Sequence, residues 1–256
     1  MTAVTPYIDP RRPRQKRRPL KAWRHMQKLI ADKEDTTQVF HIIEALNGNS
    51  IYRDFDRFLA SENGPDLLKK RRYLPDILDD HAPLLELDEN TVGRAYVAFM
   101  KREGLSAAGL VAESEITRAK YQQYDDDLLW YMNRLRDTHD LYHVLSGYGR
   151  DALGEDSLLG YTHSQHGGLG INFIAFMGNR QIAKEAPSQA RVGAVLGEAR
   201  KHGKLAQRIV DQDIVELLKE PLTAARERLN IQKPTLYRSA LNVFSQHELD
   251  PALVAA

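Results

Sequence analysis

The chain has 256 residues, 42% hydrophobic and 28% charged, with 36 Lys/Arg against 35 Asp/Glu and a formal net charge of +1. That balance suits a soluble folded protein able to bury its own core, and it gives no overall pull toward nucleic acid, so no nucleic-acid partner is expected. The absence of cysteine excludes disulfides, iron–sulfur clusters, thiolate nucleophiles and thiolate zinc sites, so any metal must be held by nitrogen and oxygen.

Residues 1–21 are rich in proline and in Lys/Arg, with Asp9 as their only acid, and read as a disordered basic arm. The arm is either solvated or drawn to anionic lipid headgroups, and its prolines argue against an amphipathic targeting helix. Helical spacing starts at Trp23, with Met26, Leu29 and Ile30, and resumes through Val39, Ile42, Ile43 and Leu46. A third helix fits 51–60. Lys69, Lys70, Arg71 and Arg72 then form a basic run, which suits either a solvated helix face or a membrane surface. The segment from Val92 has Tyr96, Phe99 and Met100 on one side and Gly104 placed to stop it. A long helix should begin near Asp125–Asp127, where carboxylates favour a helix start, and run to about Gly147. Leu169–Lys184 is the most apolar segment, two further helices follow, and Pro221 kinks or divides the last.

No run approaches the roughly 20 apolar residues that span a bilayer, and the N-terminus lacks a signal peptide's apolar stretch, which points to an intracellular protein. Strand alternation and solenoid repeats are both missing. The expectation is an all-α fold: a single compact multi-helix domain over 22–240, with a tail at 241–256.

The stretch RDTHDLYHVLSGYGRDALGE, Arg136 to Glu155, carries the chemistry. On a helix, His139, Asp140 and His143 fall within an arc of about 100° and converge on the core-facing side. Spacing alone admits two hydrogen-bonded core histidines as readily as a metal site. Asp140 and Glu155 shift the reading toward metal, since two acids turned inward without a cation would be unfavourable. Glu155 reaches the cluster only if the glycines at 147, 149 and 154 bend the chain back. Two imidazoles and two carboxylates suit one divalent ion: zinc, or Fe(II), Mn or Co where redox chemistry is needed.

The pattern HDLYH, then Val144–Gly154, then Glu155 resembles the signature of the ubiquinone (coenzyme Q) biosynthesis protein 4 family. ENTVGRAYVAFMKREGLS and LLKEPLTAARERLNIQKP are similar to neighbouring family segments, and the resemblance covers roughly residues 45–235. It implies an all-helical protein, peripheral on the inner membrane (mitochondrial, or the cytoplasmic side in a bacterium), with His139, Asp140, His143 and Glu155 as metal ligands and catalytic centre. The implied reaction is oxidative decarboxylation at ring carbon one of a polyprenylated 4-hydroxybenzoate-derived precursor, carboxylate being replaced by hydroxyl. A second view of the family is a lipid-binding scaffold that organises the other ubiquinone-biosynthesis proteins.

Such a substrate needs a cation beside an apolar groove. Phe173 and Phe176, with Ile174 and Met177, are candidates for that groove or for ordinary core. Arg136 is placed to bind the substrate carboxylate or to pair with an acid of the motif. His163 and His166 are candidate hydrogen-bond donors or proton carriers near the ring, or else capping and surface groups. A homodimer is left open. A His-Asp phosphohydrolase is the rival enzyme, but it requires an upstream histidine, and His81 is a poor one because Pro83 disrupts its helix.

Overall fold

The computed structural model describes residues 5–13, 16–32, 35 and 37–250, the side chains at 113 and 116–122 apart. Among the described residues every regular element is helical, and the one β feature is an isolated antiparallel bridge between Thr91 and Pro221. The all-α expectation is met. No helix among the described residues is long and apolar enough to cross a membrane. Contacts gather the chain into two compact units. Unit 1 joins Met1–Arg14, Ile51–Leu145 and Arg208–Leu229; unit 2 joins Gln15–Ser50, Ser146–Gln207 and Asn230–Ala256. Because the chain passes repeatedly from one unit to the other, no linker marks the division, and the sequence shows none.

In unit 1 the helix Ser50–Leu59 presents Phe55 and Phe58, both fully buried, to Tyr131 of the helix Asp127–Asp137 at ring-centroid distances of 5.2 and 5.1 Å. The second helix starts where the acidic run predicts, with Asp126 accepting the Leu129 N–H at 2.9 Å. Part of the basic arm is tied to this start. Tyr7 and Asp9 donate backbone N–H groups to Asp127 and Asp126 at 2.7 and 2.9 Å, and Arg12 reaches both Asp126 oxygens at 2.6 Å. Adjacent carboxylates at one helix start leave acceptor capacity that basic chain can fill. The basic run at 69–72 is likewise paired: Lys69 with Asp66, Lys70 and Arg72 with Asp213, and Arg71 with Asp127.

The helix Val92–Glu103 is capped by Thr91 and ends at Gly104, whose φ of 66° is easy only for glycine. Its start is tied to the end of the unit by Val92 N–H to the Glu220 carbonyl (2.9 Å) and Leu222 N–H to the Asn90 carbonyl (2.8 Å). Pro221 divides that last stretch into Ile214–Lys219 and Leu222–Arg228.

Among the described residues unit 2 packs six α-helices: Pro19–Ala31, Thr37–Asn47, Ala152–His166, Leu169–Glu185, Val192–Leu205 and Thr235–Gln246. The first opens inside the expected arm because Pro19 sits in the first turn, where a missing N–H does no harm. Ala22, Met26, Ile42, Ala45 and Ile174 form one core cluster. The last helix crosses the expected domain end at 240. Tyr237, Ala240 and Phe244 recur at helical spacing and are all buried, so packing continues beyond that boundary.

Candidate metal centre

His139 and His143 lie on the helix His139–Ser146, the second half of the long helix expected over 125–147. The break falls at Thr138. Its hydroxyl donates to the Arg134 carbonyl at 2.9 Å, a back-bond that loosens a helix at that point. Beyond the break, one donor atom from each of His139, Asp140 and His143 lies within 4.8 Å of the others. Donors around an ion at about 2.1 Å stand up to about 4 Å apart, so small side-chain rotations suffice to close this set. Two imidazoles and a carboxylate fit a divalent ion that also keeps positions for other ligands. His81 is not in the cluster.

Exposure grades across the three. The His139 side chain is 41% exposed, that of Asp140 11%, and His143 as a residue only 2%. Access is therefore from the His139 side, while His143 is walled in. The two imidazoles meet edge to face at 5.2 Å, and the Phe99 ring lies nearly parallel to His143, 5.4 Å away with 20° between planes. On the same helix as Phe99, Tyr96 is buried, and its hydroxyl is pushed well above the usual phenol range by burial first and by the charges of Asp140, Asp79 and Asp137 next. Arg226 secures the C-terminal end of the motif helix, donating Nε–H to the Leu145 carbonyl and a terminal N–H to the Val144 carbonyl, both at 2.9 Å. Sequence reading missed Arg226, Phe99 and Tyr96 as parts of this site, since helical spacing says nothing of which elements meet.

Arg136 lies against its sequence neighbour and the helix Ala107–Gln122. It bonds Asp137 at 2.7 Å and the Ser114 hydroxyl at 3.0 Å, and its side chain is only 8% exposed. Arg134 is buried and donates Nε–H to the Val210 carbonyl at 2.9 Å; burial brings its guanidinium down to about 10.

The remaining candidates belong to unit 2. Glu155 stands in the first turn of Ala152–His166, 36% exposed, with Arg150 at 3.5 Å. The turn before it is closely built. Gly147 has φ 79°, Asp151 accepts the Gly154 N–H at 3.0 Å, and Tyr237 bonds Asp151 while accepting the Gly149 N–H at 3.0 Å. Burial raises the Asp151 carboxyl despite these partners. His163 contacts the Gly168 carbonyl through Nδ1 at 3.0 Å, just past its own helix end, and His166 is that helix's last residue. Phe173 packs on the core and meets Trp23 at 6.4 Å. Phe176 is 55% exposed.

Three comparisons bear on identity. A family model described as "Coenzyme Q (ubiquinone) biosynthesis protein Coq4" matches residues 20–235. A mitochondrial ubiquinone biosynthesis protein coq4 of Pyrenophora tritici-repentis is 33% identical over 190 residues, covering 72% of this chain and 61% of that one. A mitochondrial COQ4 of Ajellomyces capsulatus is 27% identical over 201 residues, covering 77% and 68%. The chain thus spans about three fifths of the first relative's length. A crystal structure from Nostoc punctiforme superposes with a TM-score of 0.56 at 19% identity, over 85% of this chain and 100% of that one, and shows a shared fold.

Proposed function

Since the chain belongs to the Coq4 family of coenzyme Q (ubiquinone) biosynthesis proteins, we propose that it is a metal-dependent enzyme of that pathway. It acts on a polyprenylated 4-hydroxybenzoate-derived acid and replaces the ring carboxylate by hydroxyl. The observation that carries this reading is the convergence of His139, Asp140 and His143 within 4.8 Å. A divalent ion held there supplies Lewis acidity for an anionic carboxylate and phenolate. The carboxylate leaves as carbon dioxide, a water molecule supplies the hydroxyl oxygen, and one proton and two electrons are released, so the reaction requires an external two-electron acceptor.

The roles of the chain's own residues follow from their surroundings. His143 and Asp140 form the closed side of the centre, and His139 the side from which substrate enters. Glu155 is the fourth ligand on the family pattern, an assignment that rests on sequence spacing. A membrane surface fits the helix Pro19–Ala31 of unit 2, where Leu20 and Trp23 are 78% and 46% exposed beside Lys21, Arg24 and Lys28. These features support peripheral attachment, and membership of the family supports partnership with other proteins of the pathway.

Elemental analysis of protein purified without added metal, with His143→Ala beside it, tests the centre: an equivalent of zinc, iron, manganese or cobalt in the wild type alone is expected. Glu155→Ala separates catalyst from scaffold. A catalytic site loses turnover of the prenylated acid while the partner complex persists; joint loss of fold and complex would mark a structural ion.

A further inference from the structure

Phe99 is 5% exposed and lies on the helix Val92–Glu103. Its ring faces the His143 imidazole at 5.4 Å with 20° between planes. The Arg102 guanidinium carbon stands 5.3 Å from the centre of the same ring. His139 meets His143 at 5.2 Å with 70° between planes. His143 is therefore bounded by one aromatic face and one aromatic edge, and it is the most buried of the three clustered residues.

We propose that Phe99 is a positioning residue for the metal centre: its ring fixes the rotation of the His143 imidazole so that a donor nitrogen faces those of His139 and Asp140. The inference rests on the metal reading above. The physical reason is the softness of the last torsion of a histidine, which is broad and roughly two-fold. Rotation about it carries both ring nitrogens away from any point on which they converge. The Phe99 ring, nearly parallel to the imidazole at 5.4 Å, favours one setting of that torsion, because rotation gives up the offset-stacked contact of a side chain that is only 2% exposed. Metal-bound histidines are commonly oriented by a hydrogen bond behind the ring; an aromatic face contributes to the orientation from the side.

The test uses the full chain with Co(II) alone as probe, following affinity by competition with a chromophoric chelator and geometry by the visible spectrum of the bound ion. The expected result is that Phe99→Leu binds Co(II) at least about tenfold more weakly, with altered absorption bands. Phe99→Tyr, which keeps the flat face, is expected to bind as the wild type does. Phe55→Leu, a packing control in the other buried cluster of unit 1, is expected to lose stability but keep affinity. Wild-type affinity and spectrum in Phe99→Leu would overturn the inference, as would an equal loss in Phe55→Leu. Should Phe99→Leu fail to fold, Phe99→Met keeps the volume without the face and is judged by the same two outcomes. Absence of Co(II) uptake by the wild type would instead overturn the metal reading, and the inference with it.

Discussion

Gly154 precedes the acid of the family pattern, and its replacement by alanine is a sharp test of the turn that leads to it. A methyl group there would sit 2.2 Å from the Gly149 carbonyl oxygen, 2.7 Å from its carbon and 2.8 Å from its nitrogen. All three atoms are backbone, so no side chain can swing aside. Gly154 is not among the glycines with positive φ, and the obstacle is therefore steric alone. Alanine is favoured over glycine by about 1 kcal/mol inside a helix, whereas overpacking against atoms that cannot yield costs about 1–3 kcal/mol. With the upper half of that range, Gly154→Ala is destabilised by about 1–2 kcal/mol. Gly197, on the helix Val192–Leu205, supplies the opposite case. A methyl there meets nothing within 4 Å, so Gly197→Ala should gain about 0.5–1 kcal/mol. Denaturant unfolding of wild type and both variants gives the comparison, read as a shift of midpoint at constant slope. A Gly154→Ala midpoint at or above the wild type's would refute the close crossing of Gly149 and Gly154.

Asp211 sets a pH dependence. Burial, with Asp54 adding to it, lifts its carboxyl from 3.8 to about 6 against the opposing pull of Arg208, Arg57 and Arg134. Between about pH 4 and pH 6 the folded protein keeps this proton while the unfolded chain releases it, so stability from this group falls as pH rises through that window and is level above it. Asp211→Asn removes the trend and should gain on the wild type by on the order of 2–3 kcal/mol from pH 4 to pH 6; parallel stability curves for the two proteins would refute it. Arg226→Ala strips two hydrogen bonds from the last carbonyls of the motif helix and should cost about 1–3 kcal/mol. Arg226→Lys should recover only part of that, because an ammonium lacks the fork. Thermal melting measures both variants, and hydrogen exchange at 143–146 shows whether the loss is local.

The parts of this molecule that were legible in sequence are those decided within a single element. Asp126 caps, Gly104 stops and Pro221 divides, each by a property of its own backbone or side chain. His139 and His143 stand one turn apart, so they share a face wherever that helix is placed. The Thr138 break was lost because a hydroxyl bonding back to the preceding turn is a weak local signal beneath a strong apolar period. The docked part of the N-terminal arm was lost for a different reason. Its composition forbids regular structure, but two acids far along the chain give it partners.

The same division separates the two halves of the proposed site. Donor convergence comes from residues three and four apart, and the sequence states it outright. Orientation comes from Phe99 beside His143 and from Arg226 beneath Val144 and Leu145, pairs that are distant in sequence and ordinary in each local pattern. In unit 2 the turn before Glu155 depends in the same way on Tyr237, which belongs to a stretch where the family pattern had already faded. Convergence of donor groups can therefore be read from spacing, whereas the packing that orients them is held by residues with no motif of their own. Substitutions at such residues should change metal affinity and geometry before they change whether the chain folds.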